Sequence, residues 1–265
     1  MKTIAFYNVK GGVSKTMSTI NVGAILANEG KRVLIVDLDP QGNTTDFFKP
    51  NLDFDKDPSL LSIKNLLDDF DSSAQSIQDV IYHTDFTNLD LVPAAIRLGK
   101  IQNQMMLDTT MPQQFRVKNY LADIADEYDY CILDCHPAAE TLLNVNALVA
   151  ADYVFTPIRA NKWAMKGIDY LFEVFQTVKK INNGMHFGGA FITAFEDTVV
   201  GKYTIDQAMV LGDKFMNTRI PKATIADQIS YLGVPLIHYA PKEKITLAYI
   251  ELVKEIKSIM GGSIE

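Results

Sequence analysis

The sequence predicts an α/β fold, a mostly parallel twisted sheet with helices on both faces. Three observations predict it. Short apolar runs bounded by turn residues alternate along the chain with segments of helical periodicity, which is how a parallel sheet with crossover helices reads. The first strand, helix and second strand are complete by Leu38. The first strand also breaks into a paired-glycine turn with a Lys-Thr pair at the head of the next helix, the layout of a phosphate-binding loop. At 265 residues with 48% apolar content the chain can bury a large core, and one domain over residues 1–265 is expected.

The opening element is the β-rich run Thr3-Ile-Ala-Phe-Tyr-Asn-Val9, and Lys10-Gly-Gly-Val-Ser-Lys-Thr16 follows it. Gly11 and Gly12 let the backbone approach a phosphate with no Cβ in the way. The successive N–H groups and the helix N-terminus present partial positive charge to it. Lys15 is placed to reach the β- and γ-phosphates, and the Thr16 hydroxyl to ligate Mg²⁺. A helix over Lys15–Asn28 carries Ile20, Ala24 and Ala27 on one face, with Gly30 just past its end. Val33-Leu-Ile-Val-Asp-Leu38 reads as a strand buried on both faces. It runs into Asp37-Leu-Asp-Pro-Gln-Gly-Asn43, so two carboxylates stand at the carboxyl edge of the sheet, where α/β folds bind ligands.

Residues 49–85 turn polar and irregular, with short periodic pieces at Leu60–Leu67 and Ile77–Ile81, and read as a surface excursion without chemistry. Leu89–Pro93 resumes the sheet, and Ala94–Leu107 and Phe115–Glu127 read as helices. Tyr130-Cys-Ile-Leu-Asp-Cys-His-Pro137 is four apolar residues ending in a carboxylate, the form of a Walker B strand in which Asp134 holds Mg²⁺ through a water. Helices over Ala138–Ala150, Trp163–Lys180 and Tyr203–Phe215 alternate with strands at Tyr153–Pro157, Phe187–Ala194 and Thr218–Pro221. Trp163, Phe172 and Phe175 read as core or dimer-facing aromatics. The final helix, Ile245–Met260, sets Ile245, Ala248, Leu252, Ile256 and Ile259 on one side and mixes Lys with Glu on the other, as a helix docked on the sheet does.

A net charge of −7 argues against a uniformly basic nucleic-acid-binding surface, leaving a local patch as the alternative. Cys131 and Cys135 are too few for a disulfide framework and lack further ligands for a metal set, so buried thiols in a reducing compartment are expected. The chain opens directly into a strand, and no apolar run approaches the ~20 residues of a membrane span. A cytoplasmic protein is expected.

The loop K-G-G-V-S-K-T has Lys10 where a glycine usually stands and Ser14 before Lys15, so it carries two lysines. On this loop, on V-D-L-D-P-Q-G-N and on L-D-L-V-P-A, the sequence resembles the ParA/MinD family of deviant Walker A ATPases over nearly its whole length. It looks most like the short, Soj-like partition ATPases without an N-terminal helix-turn-helix domain. The resemblance implies a P-loop NTPase fold that binds ATP or ADP with Mg²⁺. It implies nucleotide contacts from Lys10, Gly11, Gly12, Val13, Ser14, Lys15, Thr16, Met17 and Pro221, and a magnesium shell involving Thr16, Asp37, Asp39 and Asp134. Asp39 would orient the attacking water, and Lys10 and Lys15 would serve hydrolysis, Lys10 from across a homodimer that sandwiches ATP. Weak intrinsic hydrolysis stimulated by a ParB-like partner, non-specific DNA binding and nucleoid association in the ATP state are implied too. Lys202, Arg219, Lys222, Lys242 and Lys244 are the candidate DNA contacts, competing with a reading as solvated surface charges.

Two positions depart from the family pattern. Met17 stands where a threonine is common, and His136 where a small residue or proline is usual; a catalytic histidine is not expected there. A MinD-like ATPase acting on a membrane or protein cargo is the alternative, although the last helix is not basic. A metabolic enzyme of the same superfamily, a cluster-bearing reductase or a ligase, is a third alternative; for the reductase Cys131 and Cys135 are badly placed, because they flank the Walker B strand.

Overall fold

The computed structural model describes residues 1–68, 71, 73–107, 112–138, 141–161 and 167–261. In chain order the elements are β1 (Lys2–Phe6), α1 (Lys15–Asn28), β2 (Val33–Asp37), α2 (Asn43–Phe48), α3 (Ile63–Leu67), β3 (Tyr82–His83), β4 (Leu89–Val92), α4 (Leu98–Met105) and α5 (Arg116–Ala122). They continue with β5 (Tyr130–Asp134), α6 (Leu142–Ala150), β6 (Tyr153–Arg159), α7 (Ile168–Lys179), β7 (His186–Phe195), α8 (Val199–Ala208), β8 (Phe215–Pro221), α9 (Ile225–Leu232), α10 (Leu236–Tyr239) and α11 (Lys244–Ile259).

Among the described residues the strands form one sheet in the order β3-β4-β2-β5-β1-β6-β7-β8. Every neighbouring pair is parallel except β3 with β4. The interior strands are apolar because both faces are covered, and their alternate residues divide between two cores. Ala5, Leu34, Val36, Cys131 and Leu133 enter the cluster that α5, α6 and α7 cover. Ile4, Phe6, Val33, Ile35 and Ile132 enter the opposite cluster, under α1 and α11. Helices on both faces of a mostly parallel sheet are thus what the alternation of apolar runs and helical periodicity dictates. Phe175 is buried in the first cluster with Phe172 packed on it, whereas Trp163 lies outside the described residues.

The packing sets the site's frame at Gly23 of α1. A Cβ there would come within 2.9 Å of Ile35 Cδ1, so the glycine lets the helix lie close against β2 and fixes where its N-terminus points. Both thiols are free and buried, and burial pushes each well above its usual range. No described helix is long and apolar enough to cross a membrane.

Several expected boundaries move. The helix read over Tyr203–Phe215 is α8 from Val199 followed by a 3-10 stretch, with Gly212 at φ 54° and ψ −130° breaking it. The helix read over Phe115–Glu127 is an α-helix only over Arg116–Ala122, and β8 starts at Phe215, three residues before the expected strand. α6 begins at Leu142 because the Thr141 hydroxyl accepts the Asn144 N–H and caps it.

Candidate nucleotide site

The loop after β1 is pinned from both ends. Asn8 is buried; its Nδ2 donates to the Pro157 carbonyl at 2.9 Å, and its Oδ1 accepts the Lys10 N–H at 3.0 Å. Gly12 and Ser14 both take left-handed backbone, at φ 68° and 70°. Ser14 thus adopts, as a non-glycine residue, a conformation that costs on the order of 1 kcal/mol. Its carbonyl accepts both the N–H and the hydroxyl of Ser18. The Val13 carbonyl accepts the Thr193 hydroxyl at 3.0 Å, and the Gly12 carbonyl accepts from Arg159 at 3.2 Å. Side chains from β6 and β7 therefore hold the loop in a shape that leaves the first N–H groups of α1 unclaimed by its own helix.

Lys15 is buried, and its Nζ donates to the carbonyls of Asn8 at 3.1 Å and Lys10 at 2.9 Å. Burial lowers its pKa, opposed by the charges of Asp134, Cys135 and Asp39. A buried ammonium whose hydrogen bonds among the described residues go to carbonyls gains from an anion beside it. Gly11 stands against Pro137, which follows the Walker B strand.

The carboxylates come from adjacent strands at the same level, Asp37 of β2 paired in register with Asp134 of β5. Asp134 Oδ2 accepts the hydroxyls of Thr16 at 2.8 Å and Thr44 at 2.7 Å. Its Oδ1 is buried without a hydrogen-bond partner among the described residues, a costly state for a carboxylate oxygen. Asp37 has both oxygens engaged: Oδ1 accepts the Asp39 N–H at 3.1 Å, and Oδ2 accepts the Thr45 N–H at 2.9 Å and its hydroxyl at 2.8 Å. It braces the loop after β2, so its support of a cation shell would be indirect. Burial, with the neighbouring charge of Asp134, raises its pKa well above the usual carboxylate range. Asp39 Oδ1 accepts the Gln41 N–H at 2.9 Å and lies 2.9 Å from His136 Nδ1.

This donor set fits a magnesium ion. No three His, Cys, Asp or Glu among the described residues form a ready-made cage, and Mg²⁺ prefers one or two carboxylates completed by waters and phosphates. The unpartnered Asp134 oxygen beside the Thr16 hydroxyl supplies such a partial shell. Next to the loop, Ser14, Met17 and Arg159 share a cavity of about 530 Å³ with Pro221, Thr224, Asp227 and Ser230, a volume suited to a small-molecule ligand. Met17 meets Ser230 there, whose hydroxyl lies 3.6 Å from its sulfur.

A family model described as an AAA domain matches residues 1–187. The sporulation initiation inhibitor protein Soj of Bacillus subtilis is 35% identical over 259 residues, covering 96% of this chain and 98% of its own. The chain belongs to the Soj/ParA family of P-loop ATPases. The chromosome-partitioning ATPase Soj of Treponema pallidum is 33% identical over 96% of each chain. The crystal structure of cobyrinic acid a,c-diamide synthase from Mycobacterium smegmatis, with bound ATP analog and magnesium, superposes with a TM-score of 0.81 at 26% identity, covering 96% of this chain and 93% of that one.

In this Soj/ParA chain the residues expected at the nucleotide, Lys10 through Met17, line one loop and helix turn, and Pro221 borders the cavity beside them. The DNA candidates are exposed and fall in two places. Lys222, Arg219 and Lys202 surround the end of β7: Lys222 pairs with Glu196 at 3.1 Å, Lys202 with Asp197 at 3.2 Å, and Arg219 lies over the Phe195 ring. Lys242 and Lys244 precede Ile245 at the start of α11, which borders the same cavity as Lys222. Sequence reading missed Asn8, Thr44, Thr45 and Arg159. Asn8 alone left a signal, as a polar residue at the end of an apolar strand.

Proposed function

We propose that the chain is a ParA-type partition ATPase, which binds ATP with Mg²⁺, dimerises around it, associates non-specifically with DNA and is reset by hydrolysis that a ParB-like partner stimulates. The observation that carries the reading is the meeting of Lys15 and Thr16 with Asp134 and Asp39 on one sheet edge. Lys15 would exchange its carbonyl partners for β- and γ-phosphate oxygens, and the loop N–H groups would face the same phosphates. Thr16 and Asp134 would hold the magnesium ion, which neutralises charge on the phosphates. Asp39 would orient the attacking water, and Lys10 would act on the phosphates bound by the partner protomer. The base and sugar would take the cavity bordered by Met17 and Pro221. In a cell the ATP form would sit on the nucleoid and the reset form would be cytoplasmic.

The test is a salt-titrated binding assay to random-sequence duplex, with ATP, ADP and no nucleotide, alongside molar mass by light scattering. A dimer and DNA affinity that both require ATP are expected. An ATP-dependent dimer with no affinity for duplex at low salt would transfer the reading to a MinD-like ATPase that positions a membrane or protein cargo.

A further inference from the structure

The turn after β5 touches the loop after β2 through one side-chain contact that the ATPase reading leaves without a role, His136 on Asp39. The two groups are 97 residues apart in sequence, and Nδ1 lies 2.9 Å from Oδ1. The Asp39 side chain is 6% exposed and that of His136 25%. The second hydrogen bond to Asp39, from Gln41, falls on the same oxygen.

The His136 end of the contact is itself fixed. Asn144 in the first turn of α6 donates Nδ2 to the carbonyls of His136 at 3.1 Å and Ala138 at 2.8 Å. The Ala138 N–H donates to the same His136 carbonyl at 2.9 Å. A carboxylate turns easily about its last side-chain torsion, which is broad and two-fold, so its orientation is set by what it bonds to. Two contacts on Oδ1, the Gln41 N–H and His136 Nδ1, define that torsion and, among the described residues, leave Oδ2 as the oxygen to receive a water.

We infer that His136 is a positioning residue, one that donates Nδ1–H to Asp39 Oδ1 and holds the carboxylate in the orientation that aligns the attacking water. The inference rests on the ATPase reading and on the assignment of Asp39 to that water. It asks nothing of His136 in binding ATP, and it gives the histidine no proton to transfer. Preorganisation of this kind acts on the chemical step and leaves ground-state affinity alone.

Two measurements test it. In steady-state ATPase assays His136→Ala should lower kcat about tenfold with KM for ATP little changed. His136→Asn, whose amide nitrogen stands near the place of Nδ1, should recover most of the loss. Equal kcat in parent and His136→Ala, or an Asn variant as impaired as the Ala variant, overturns the role. In nucleotide-free parent protein labelled with ¹⁵N-histidine, His136 Nδ1 should carry a proton, and its resonance should move in Asp39→Asn. An unprotonated Nδ1 overturns the contact itself. A parent without ATP turnover sinks the ATPase reading and the positioning role with it, and an intact Nδ1–H signal would then show that the reading failed and not the contact.

Discussion

Thr16 Oγ1 donates to Asp134 Oδ2 across 2.8 Å, fastening the first turn of α1 to the end of β5. With Thr44 on the same oxygen, two hydroxyls favour the ionised form, yet burial pushes the Asp134 carboxyl up to about 6, the charge of Asp39 adding and that of Lys15 opposing. The structure thus holds a carboxylate whose charge opposes folding, at the place where a divalent cation would compensate it.

Asp134→Asn should therefore stabilise the nucleotide-free protein while abolishing magnesium-dependent hydrolysis. The sign follows from linkage. The folded pKa, about 6, lies above the ordinary value, so the folded state binds the extra proton between them and stability falls as pH rises through that window. The gain from Asn should be full above it, on the order of 1–3 kcal/mol at pH ~8, and fade toward pH ~4. Thermal unfolding of both proteins across that range checks it. A difference that does not change with pH would refute the electrostatic account.

Lys15 and Lys10 should separate on substitution. Lys15 is buried with its ammonium on the loop carbonyls, so Lys15→Ala should lose ATP affinity outright. Lys10→Ala should keep part of its ATP binding, form the ATP dimer poorly and lose hydrolysis about 10³-fold, as removal of a charge acting in trans does. Fluorescent-nucleotide binding, light scattering and turnover measure the three properties. Undiminished turnover in Lys10→Ala would end the trans assignment.

Asp39→Ala should trap the cycle between binding and hydrolysis. Among the described residues the carboxylate's side-chain hydrogen bonds run to Gln41 and His136, so ATP should still bind and the dimer should accumulate. Asp37→Ala should behave differently, because Asp37 is buried and braces Thr45 through two hydrogen bonds. Its loss should lower the melting temperature as well as activity. Parent-rate hydrolysis by Asp39→Ala is the result that removes its role.

The sheet and the glycine turn from β1 into α1 were legible because both are local. A parallel strand buried on two faces must be an apolar run, and K-G-G-V-S-K-T between a strand and a helix has few other uses. The pieces that escaped notice depend on distant parts of the chain. The strand at Tyr82–His83 is two residues long and exists through its pairing with β4. The short helices α2, α9 and α10 carry too few turns for periodicity to register, and Phe47 and Leu236 owe their burial to the cluster under α1. At α8 the exposure of Val199 and Val200, 85% and 47%, inverts the apolar face that the eye looks for. His136 was visible as a departure from the family pattern, but its partner at Asp39 is set by the fold.

The last prediction concerns DNA, where the geometry sharpens the charge argument. Around the end of β7 the basic residues Lys202, Arg219 and Lys222 share their surface with Glu196 and Asp197, and two of the three are paired to those carboxylates. Such exposed pairs contribute little to stability, so exchanging them should leave the fold and ATPase activity intact. They matter to a polyanion, because each lysine must leave its carboxylate before it can replace a counterion on a phosphate. Lys202→Glu with Lys222→Glu should weaken the ATP-dependent affinity for random duplex and flatten its salt dependence. Glu196→Gln with Asp197→Asn should do the reverse, tightening binding at low salt by severalfold, without sequence preference in either case. If both double variants bind as the parent does, this face is not the DNA surface, and the same titration on Lys242→Glu with Lys244→Glu asks whether the start of α11 is.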